Sequence, residues 1–322
     1  MFLIGIAQSS KAQIVMRNYF TDKNEETKST ENALYYREIL IGENQEDPIT
    51  VIEKYVSNDR TKLYGTYNNI KDKKFTGQKF TAYINGKIKS KEKYSHDGQL
   101  IDTAEYFHPN GKLKIAYNYP YTIEQERTII KDTLILIFKD SIGTPYLMNG
   151  EGYAELYIED NTLNSKPHSI EKGNFKNHKR TGEWTGTFQN EKYTFVEQYN
   201  NGEVVSGISK DSLDNEFPYD ESNYMKQPEY PGGIKTLRQF IANNYNYPRA
   251  AISAGVNGLV KVSFTINKTG NIVDLKVDQD LGYGTGEEAI RVLKRSKKWT
   301  PGIIRGVPVK VRFVLPVNLN TK

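Results

Sequence analysis

The sequence predicts an α+β fold, in which a mainly β N-terminal region precedes a small antiparallel sheet that carries helices on one face. Three observations support this prediction. A Tyr- and Gly-rich pattern with turn dipeptides recurs over the first two thirds of the chain, and the balance of charge changes sign near residue 226. After that point, segments of helical and of strand periodicity follow one another.

Two segments precede the repeats. Residues 1–12, MFLIGIAQSSKA, join a short apolar run to small residues before Gln13. They fit either a truncated signal peptide or a simple strand, and we favour the signal peptide, which predicts export to the periplasm or cell envelope. Residues 13–33 include the polar stretch TDKNEETKSTEN and are expected to form a flexible lead. No later apolar run approaches the about 20 residues that a membrane helix needs, so no membrane span is expected in the chain as given.

A loose repeat occupies residues 34–223 and predicts an array of β-hairpins. Asn85-Gly86, Asp97-Gly98 and Asn110-Gly111 are 12 and 13 residues apart, and such dipeptides supply the positive φ angles of tight hairpin turns. Nineteen of the 23 tyrosines lie before residue 226. Aromatic cross-strand pairs, rather than an aliphatic core, are therefore expected to stabilise the array.

One part of this region resembles a degenerate MORN-type repeat. Gly173, Phe175, Gly182 and Trp184 match its Gly-x-aromatic skeleton, whereas Asn177 departs from the central Gly of that pattern. Repeat units of this length cannot bury a face alone and must stack. The resemblance implies a hairpin array that is used for protein contacts, and it implies no enzyme.

Residues 224–322 form the second predicted domain. A helix is expected over IKTLRQFIANNY, and a short helix follows Tyr247-Pro248 and stops at Gly255. A hairpin comes next, and then Thr285 and Glu288 have the spacing of a capping box at the start of a third helix. From Val307 to Val317 the residues alternate with period two, which predicts one last half-buried strand.

The composition argues against catalysis. The chain has no Cys, which excludes thiolate nucleophiles and cysteine metal sites, and its four histidines are isolated in turn-like stretches. The glycines from Gly282 to Gly286 do not have the spacing of a dinucleotide-binding fingerprint. Glu287 and Glu288 lie in the first turn of the following predicted helix, where a bound phosphate would otherwise lie. We therefore predict a protein that is not an enzyme, with no cofactor and no metal site.

The charge is uneven along the chain. From Lys226 to the end, 16 Lys and Arg stand against 6 Asp and Glu, a net charge of +10, whereas the preceding residues have a net charge of −5. Several of these cations, from Lys294 to Lys298, close the third predicted helix, where they oppose the helix dipole. Binding of nucleic acid is therefore not expected.

About residues 226–318 resemble the C-terminal domain of the TonB family. The matching motifs are, in order, Tyr247-Pro248, Gly258 before an alternating strand, Gly270 in the hairpin turn, Ala289 in the helix, Trp299-x-Pro301-Gly302 and the closing strand. The resemblance implies a periplasmic domain that captures the TonB box of an outer-membrane transporter alongside its closing strand and passes on the energy of an inner-membrane motor. The sequence shows neither the N-terminal membrane helix nor the proline-rich spacer of such transducers, so peptide binding is better supported than energy transduction.

The resemblance places the candidate binding site on the closing strand. Strand addition draws its affinity from main-chain hydrogen bonds along an open edge. The predicted partner-binding residues are Val309, Lys310, Val311, Arg312, Phe313, Val314, Leu315 and Val317, with Tyr247 as a weaker candidate. The outer-face cations either guard the edge against unspecific pairing or meet an acidic partner. In the alternative, the same edge pairs with a second copy, which predicts a homodimer or a self-assembling structural protein of the envelope without energy transduction.

Overall fold

The computed structural model describes residues 13–42, 48–159 and 168–320, so the predicted signal peptide over residues 1–12 lies outside the described residues. The chain divides into two compact units. The first contains Met1–Glu155 and Lys172–Thr181, and the second contains Leu156–Glu171 and Gly182–Lys322. The domain boundary predicted between residues 223 and 224 lies inside the second unit.

The first unit is a long antiparallel meander. Its strands are β1 (Gln13–Phe20), β2 (Glu26–Thr27), β3 (Tyr35–Ile41), β4 (Ile49–Tyr55), β5 (Thr61–Tyr67), β6 (Phe75–Ala82), β7 (Ile88–Tyr94), β8 (Leu100–Phe107), β9 (Leu113–Tyr119), β10 (Tyr121–Glu124), β11 (Arg127–Ile130), β12 (Leu134–Lys139) and β13 (Pro145–Met148). Strands β3 to β9 pair in sequence order, β1 pairs with β2 and β3, and β9 pairs with β12, which pairs with β13. The short hairpin β10–β11 is inserted between β9 and β12. The predicted mainly β N-terminal region is confirmed.

The hairpin turns use glycine as the sequence predicts. Gly86, Gly98 and Gly111 have φ angles of 83°, 84° and 88°. Each donates its N–H to the carbonyl three residues earlier, at distances between 2.7 and 3.1 Å. Glycine occupies this left-handed conformation without the Cβ clash that other residues meet.

Side chains link turns that are two strands apart. Asn85 donates from its amide to the carbonyl of Pro109 at 2.8 Å, and Asn110 donates to that of Ser141 at 2.6 Å. In each case the acceptor lies in the next turn on the same side of the meander, 24 or 31 residues further along the chain. The turns are therefore stacked, and the repeating unit of the meander is a pair of strands.

The flexible lead predicted over residues 13–33 is wrong, because this segment contains β1 and β2. Tyr19 and Phe20 of β1 lie opposite Tyr36 and Tyr35 of β3, with ring centroids 5.9 and 5.1 Å apart. Cross-strand aromatic pairs of this kind stabilise a strand in a segment whose intrinsic propensity does not by itself favour strand over coil. The polar turn after Phe20 concealed this signal in the sequence.

The second unit contains a smaller meander, followed by the helices and strands of the C-terminal region. Strands β14 (Glu151–Glu159), β15 (His168–Lys176) and β16 (Lys179–Phe188) have residues in both units. The later elements are β17 (Tyr193–Asn200), β18 (Glu203–Asp211), β19 (Glu216–Tyr219), β20 (Met225–Lys226), α1 (Gly233–Asn244), α2 (Arg249–Ser253), β21 (Gly258–Ile266), β22 (Ile272–Gln279), α3 (Thr285–Lys294), β23 (Gly302–Ile304), β24 (Val307–Val309) and β25 (Val311–Leu319). Strands β16 to β19 pair in sequence order. Two three-stranded sheets follow, with the orders β20-β23-β24 and β22-β21-β25.

Helices α1 and α3 pack on one face of the sheet β22-β21-β25, as the sequence predicts. Their buried residues, among them Leu237 and Val292, join one core with Val262 and Phe264 of β21 and with Trp299. Residues of β21 alternate between this core and the outer face because strand side chains have period two. The predicted small antiparallel sheet with helices on one face is confirmed.

The capping box predicted for α3 does not form. The carboxylate of Asp280 instead accepts hydrogen bonds from the Thr285 hydroxyl at 2.6 Å and from the Gly286 N–H at 3.0 Å. Glu288 binds the guanidinium of Arg291 and the N–H of Asn246. The first turn of α3 is thus capped from the preceding loop, and a carboxylate there also suits the positive end of the helix dipole.

Candidate functional site

The last strand, β25, has one paired and one free edge. It pairs with β21 in nine consecutive positions, from Ile266↔Val311 to Gly258↔Leu319. Within the described ranges 13–42, 48–159 and 168–320, no strand pairs with its other edge. A free edge of this length presents a row of unpaired N–H and C=O groups to an extended partner.

Pro316 shows which groups point outward from β25. Because proline has no N–H, it is accepted in an edge strand where that N–H would face away from the neighbouring strand. Arg312, Val314 and Asn318 are an even number of residues from Pro316, so their backbone N–H groups point in the same outward direction. The free edge therefore offers donors at these three positions and lacks one at Pro316, which limits how a partner strand can align.

The strand predicted from Val309 to Val317 is two strands in the structure. Val309 belongs to β24, which pairs with β23, and it is buried there, whereas β25 begins at Val311. Lys310 is an exposed residue between the two strands. Alternation continues unbroken through Lys310, so the sequence gives no sign of the change of sheet. Val309 is therefore not part of the free edge.

The predicted residues of β25 lie on its two faces as the alternation indicates. Leu315 and Val317 are buried in the core, with Val311 and Phe313 half-buried on the same face. Arg312 and Val314 are exposed on the outer face. The guanidinium of Arg312 lies 3.4 Å from the Ser263 hydroxyl, which donates to Asp278 at 3.0 Å. Arg312 thus lies partly across the sheet, and its charge has an acid of the same chain nearby.

A groove adjoins the free edge of β25. It has a volume of about 330 Å³ and is lined on one side by four consecutive strand residues, Phe313 to Pro316, and on the other by the first turns of α1. Its remaining lining residues are Pro228, Glu229, Tyr230, Gly233, Ile234, Leu237, Arg238, Phe264 and Trp299. The sequence analysis did not predict this groove. The available signals were the aromatic Tyr230 just before the first helix and the apolar Ile234 within it.

Aromatic rings form the floor of the groove. The ring centroid of Trp299 lies 5.5 Å from that of Phe313 and 5.5 Å from that of Tyr230, and Phe264 stacks on Phe313 at 5.8 Å. The indole Nε1 of Trp299 is buried and has no hydrogen-bond partner among the described residues. A buried donor that is left unpaired costs about 1–3 kcal/mol, so this atom lowers the stability of the domain.

Tyr247 does not lie on the free edge. Its hydroxyl donates to the carbonyl of Val256, and its ring contacts that of Tyr245 edge to face at 6.1 Å. The residues that line the groove do not include Tyr247. Its position next to α2 fits a role in packing.

A buried ion cluster holds the hairpin that precedes β25. Arg305 lies in the two-residue turn between β23 and β24, with a φ of 50°, next to Gly306 at 74°. Its guanidinium donates to Glu197 and to Glu171, each at 2.7 Å, and all three side chains are almost fully buried. Burial opposes the charged guanidinium, but the two carboxylates raise the pKa of Arg305 above its ordinary value.

Further contacts join the same hairpin to the meander β16–β19. The ring of Phe195 lies 3.9 Å from the Arg305 guanidinium, and the hydroxyl of Ser209 donates to the Arg305 carbonyl at 2.8 Å. Val307 is buried in a cluster with Phe188, Phe195 and Tyr193. The hairpin is thus fixed to the meander inside the second unit, and Lys310 alone separates it from β25. Gly306 in the sequence is compatible with a tight turn, but it gives no sign of this contact.

The described residues do not suggest a metal centre. No group of three or more His, Asp and Glu side chains in this part of the chain is arranged to hold a metal ion. His96 and His108 lie at hairpin turns, where a ring nitrogen contacts the backbone carbonyl of Glu126 at 2.8 Å or of Lys139 at 3.0 Å. These contacts tie the histidine side chains to neighbouring turns.

Residues 243–321 match the family model described as the Gram-negative bacterial TonB protein C-terminal. The match covers α2, α3 and β21 to β25, and it confirms the predicted TonB-type domain over these residues; the MORN-type resemblance has no corresponding family match. It connects the chain with TonB-type energy coupling in envelope transport and with a periplasmic or envelope location. No curated protein matches the chain. Among the helices that the structure describes, none combines the length and the apolar character needed to cross a membrane.

Proposed function

We propose that the C-terminal domain captures an extended segment of an envelope protein by adding it as a strand to the free edge of β25. The partner that the family match favours is an outer-membrane transporter. The observation that carries the proposal is the free edge of the nine-residue strand β25 within a TonB-type domain. Main-chain pairing needs no catalytic group, so the proposal assigns no enzymatic step and no cofactor to the chain.

The hairpin array has a separate role in this proposal. It takes the place of the proline-rich spacer and acts as a MORN-like platform for protein contacts. The hydrogen bonds from Asn85 and Asn110 to the next turns support this role, because they make neighbouring hairpins depend on one another. The most specific part of the proposal is that the protein supports transport across the outer membrane. This part is tested by measuring transporter-dependent uptake in cells whose copy of the protein carries a substitution that blocks the free edge of β25.

The full chain should bind fluorescein-labelled TonB-box peptides, measured by fluorescence anisotropy. The blocking variant is Val314→Pro, which removes one outward N–H and leaves the pairing with β21 intact, because Pro316 already occupies an equivalent position. Val314→Thr is the matched control, since it keeps the N–H and the branched shape. We expect the proline variant to bind about tenfold or more weakly, because it loses a hydrogen bond and its ring obstructs the added strand.

Other outcomes decide against the proposal. If no TonB-box or other periplasmic peptide binds, or if Val314→Pro and Val314→Thr bind equally, capture at this edge is wrong. Sedimentation of the same variants addresses the alternative of self-pairing. Association of the native chain that Val314→Pro abolishes would identify a second copy as the occupant of the edge.

A further inference from the structure

We infer that the groove beside β25 is a specificity pocket that receives one large apolar side chain of the docked segment, such as Leu, Ile, Met or Phe. This inference rests on the proposed capture of an extended segment at the same edge. It adds what main-chain pairing alone cannot supply, which is a preference for one kind of sequence over another.

The geometry of strand addition directs side chains into the groove. A strand that pairs with β25 must send alternate side chains toward the face that α1 covers. The groove lies between that helix and the edge, and four consecutive residues of β25 line it. A docked segment therefore cannot run along this part of β25 without placing a side chain in or over the groove.

The lining selects the chemistry of that side chain. The lining of the groove includes four aromatic residues, Tyr230, Phe264, Trp299 and Phe313, and the apolar Ile234 of α1, which is 51% exposed. The volume of about 330 Å³ is at the low end of the range of about 300–1,000 Å³ for ligand pockets, so the groove has room for one large side chain. Arg238 and Glu229 are the charged residues of the lining and have opposite signs, so the groove does not favour an occupant of one charge.

The test uses the full chain and a ten-residue peptide that binds the free edge. Each position of the peptide is replaced in turn by Leu, Ala or Asp, and affinities are measured by anisotropy. We expect one position at which Leu binds about ten- to a hundredfold more tightly than Ala, because a buried leucine side chain is worth that factor, and at which Asp binds most weakly. Equal binding of Leu, Ala and Asp at every position would overturn the inference and leave edge capture intact.

Two matched variants locate the effect. Ile234→Ser changes an exposed residue of the groove lining, and Ile252→Ser changes a residue of similar exposure, 53%, on α2. Ile234→Ser should reduce the ratio of Leu to Ala affinity at the preferred peptide position at least threefold, and Ile252→Ser should leave this ratio unchanged. Equal effects of the two variants would overturn the inference. Absence of any peptide binding would overturn it together with edge capture. Self-association that Ile234→Ser abolishes would assign the groove to a second copy and overturn the peptide assignment.

Discussion

Replacing Arg305 by Met should destabilise the whole second unit. Glu171 and Glu197 would remain buried without their cation, at 4% and 0% side-chain exposure. Removal of one partner of a buried ion pair costs about 3–5 kcal/mol, which is a factor of about 10² to 10⁴ in the unfolding equilibrium. Because a domain is stable by only about 5–15 kcal/mol, the variant should remain folded with a much lower denaturation midpoint.

The two tryptophans of the chain make this effect measurable in each part of the unit. Trp184 lies in β16 and Trp299 lies in the groove floor, and both belong to the second unit. Denaturant unfolding followed by fluorescence, in backgrounds that carry Trp184→Phe or Trp299→Phe, reports the meander and the C-terminal domain separately. Arg305→Met should lower the midpoint of both reporters, whereas Lys310→Met, which removes an exposed cation nearby, should change the free energy of unfolding by no more than about 0.5 kcal/mol.

Two results would refute this reasoning. The first is an unchanged midpoint for the Trp299 reporter in Arg305→Met. The second concerns the charge itself: neutral glutamines at 171 and 197 should relieve most of the destabilisation of Arg305→Met. A destabilisation that these glutamines do not relieve would assign the effect to lost packing rather than to the buried ion pairs.

Two further predictions concern one tyrosine, Tyr35, and two glycines, Gly255 and Gly270. In the first unit, burial, followed by the charge of Glu53, raises the pKa of Tyr35 to about 12. The contribution of the neutral phenol to stability is complete below the unfolded pKa of about 10 and is lost as the pH rises through about 12. Because the chain has 23 tyrosines, the signal of Tyr35 is the tyrosinate absorbance of the native chain minus that of Tyr35→Phe. This difference should rise together with loss of the β-sheet circular dichroism, and a difference that rises near pH 10 with intact dichroism would contradict the prediction. In the second unit, a Cβ on Gly270 would lie 2.0 Å from the Trp299 carbonyl oxygen, whereas one on Gly255 would meet nothing within 4 Å, and both residues have positive φ. Gly255→Ala should cost about 1–2 kcal/mol in chemical denaturation and Gly270→Ala at least twice as much, and equal costs would show that backbone strain alone matters.

The sequence predicts those parts of the fold that local chemistry decides. Gly86, Gly98 and Gly111 form turns because their dipeptides favour positive φ, and the alternation of β25 follows from which face is buried. The C-terminal sheet with its helices follows from periodicities that tertiary packing does not override. The MORN-type character of the array stays a prediction.

The remaining features depend on contacts between distant residues. Arg305 meets Glu197 and Glu171 across sequence separations of 108 and 134 residues. No spacing or propensity records such a contact, because a buried arginine is identified only by what surrounds it. The groove is similar, since Ile234 of α1 and Phe313 of β25 line it together only when the sheet and the helix are packed together.

The buried ion cluster also decides which part of the chain is suitable for binding measurements. A fragment of residues 224–322 would keep Arg305 and Val307 but lose Glu171, Glu197 and the ring of Phe195, so the hairpin β23–β24 would expose an unpaired guanidinium and an apolar face. Lys310 alone separates this hairpin from β25, and disorder in the hairpin would reach the start of the edge. Weak peptide binding by the fragment and strong peptide binding by the full chain would therefore indicate that the meander positions the free edge of β25. If the fragment has the same stability and the same peptide affinity as the full chain, the meander makes no contribution to the edge and the predicted boundary at residue 224 is a true domain boundary.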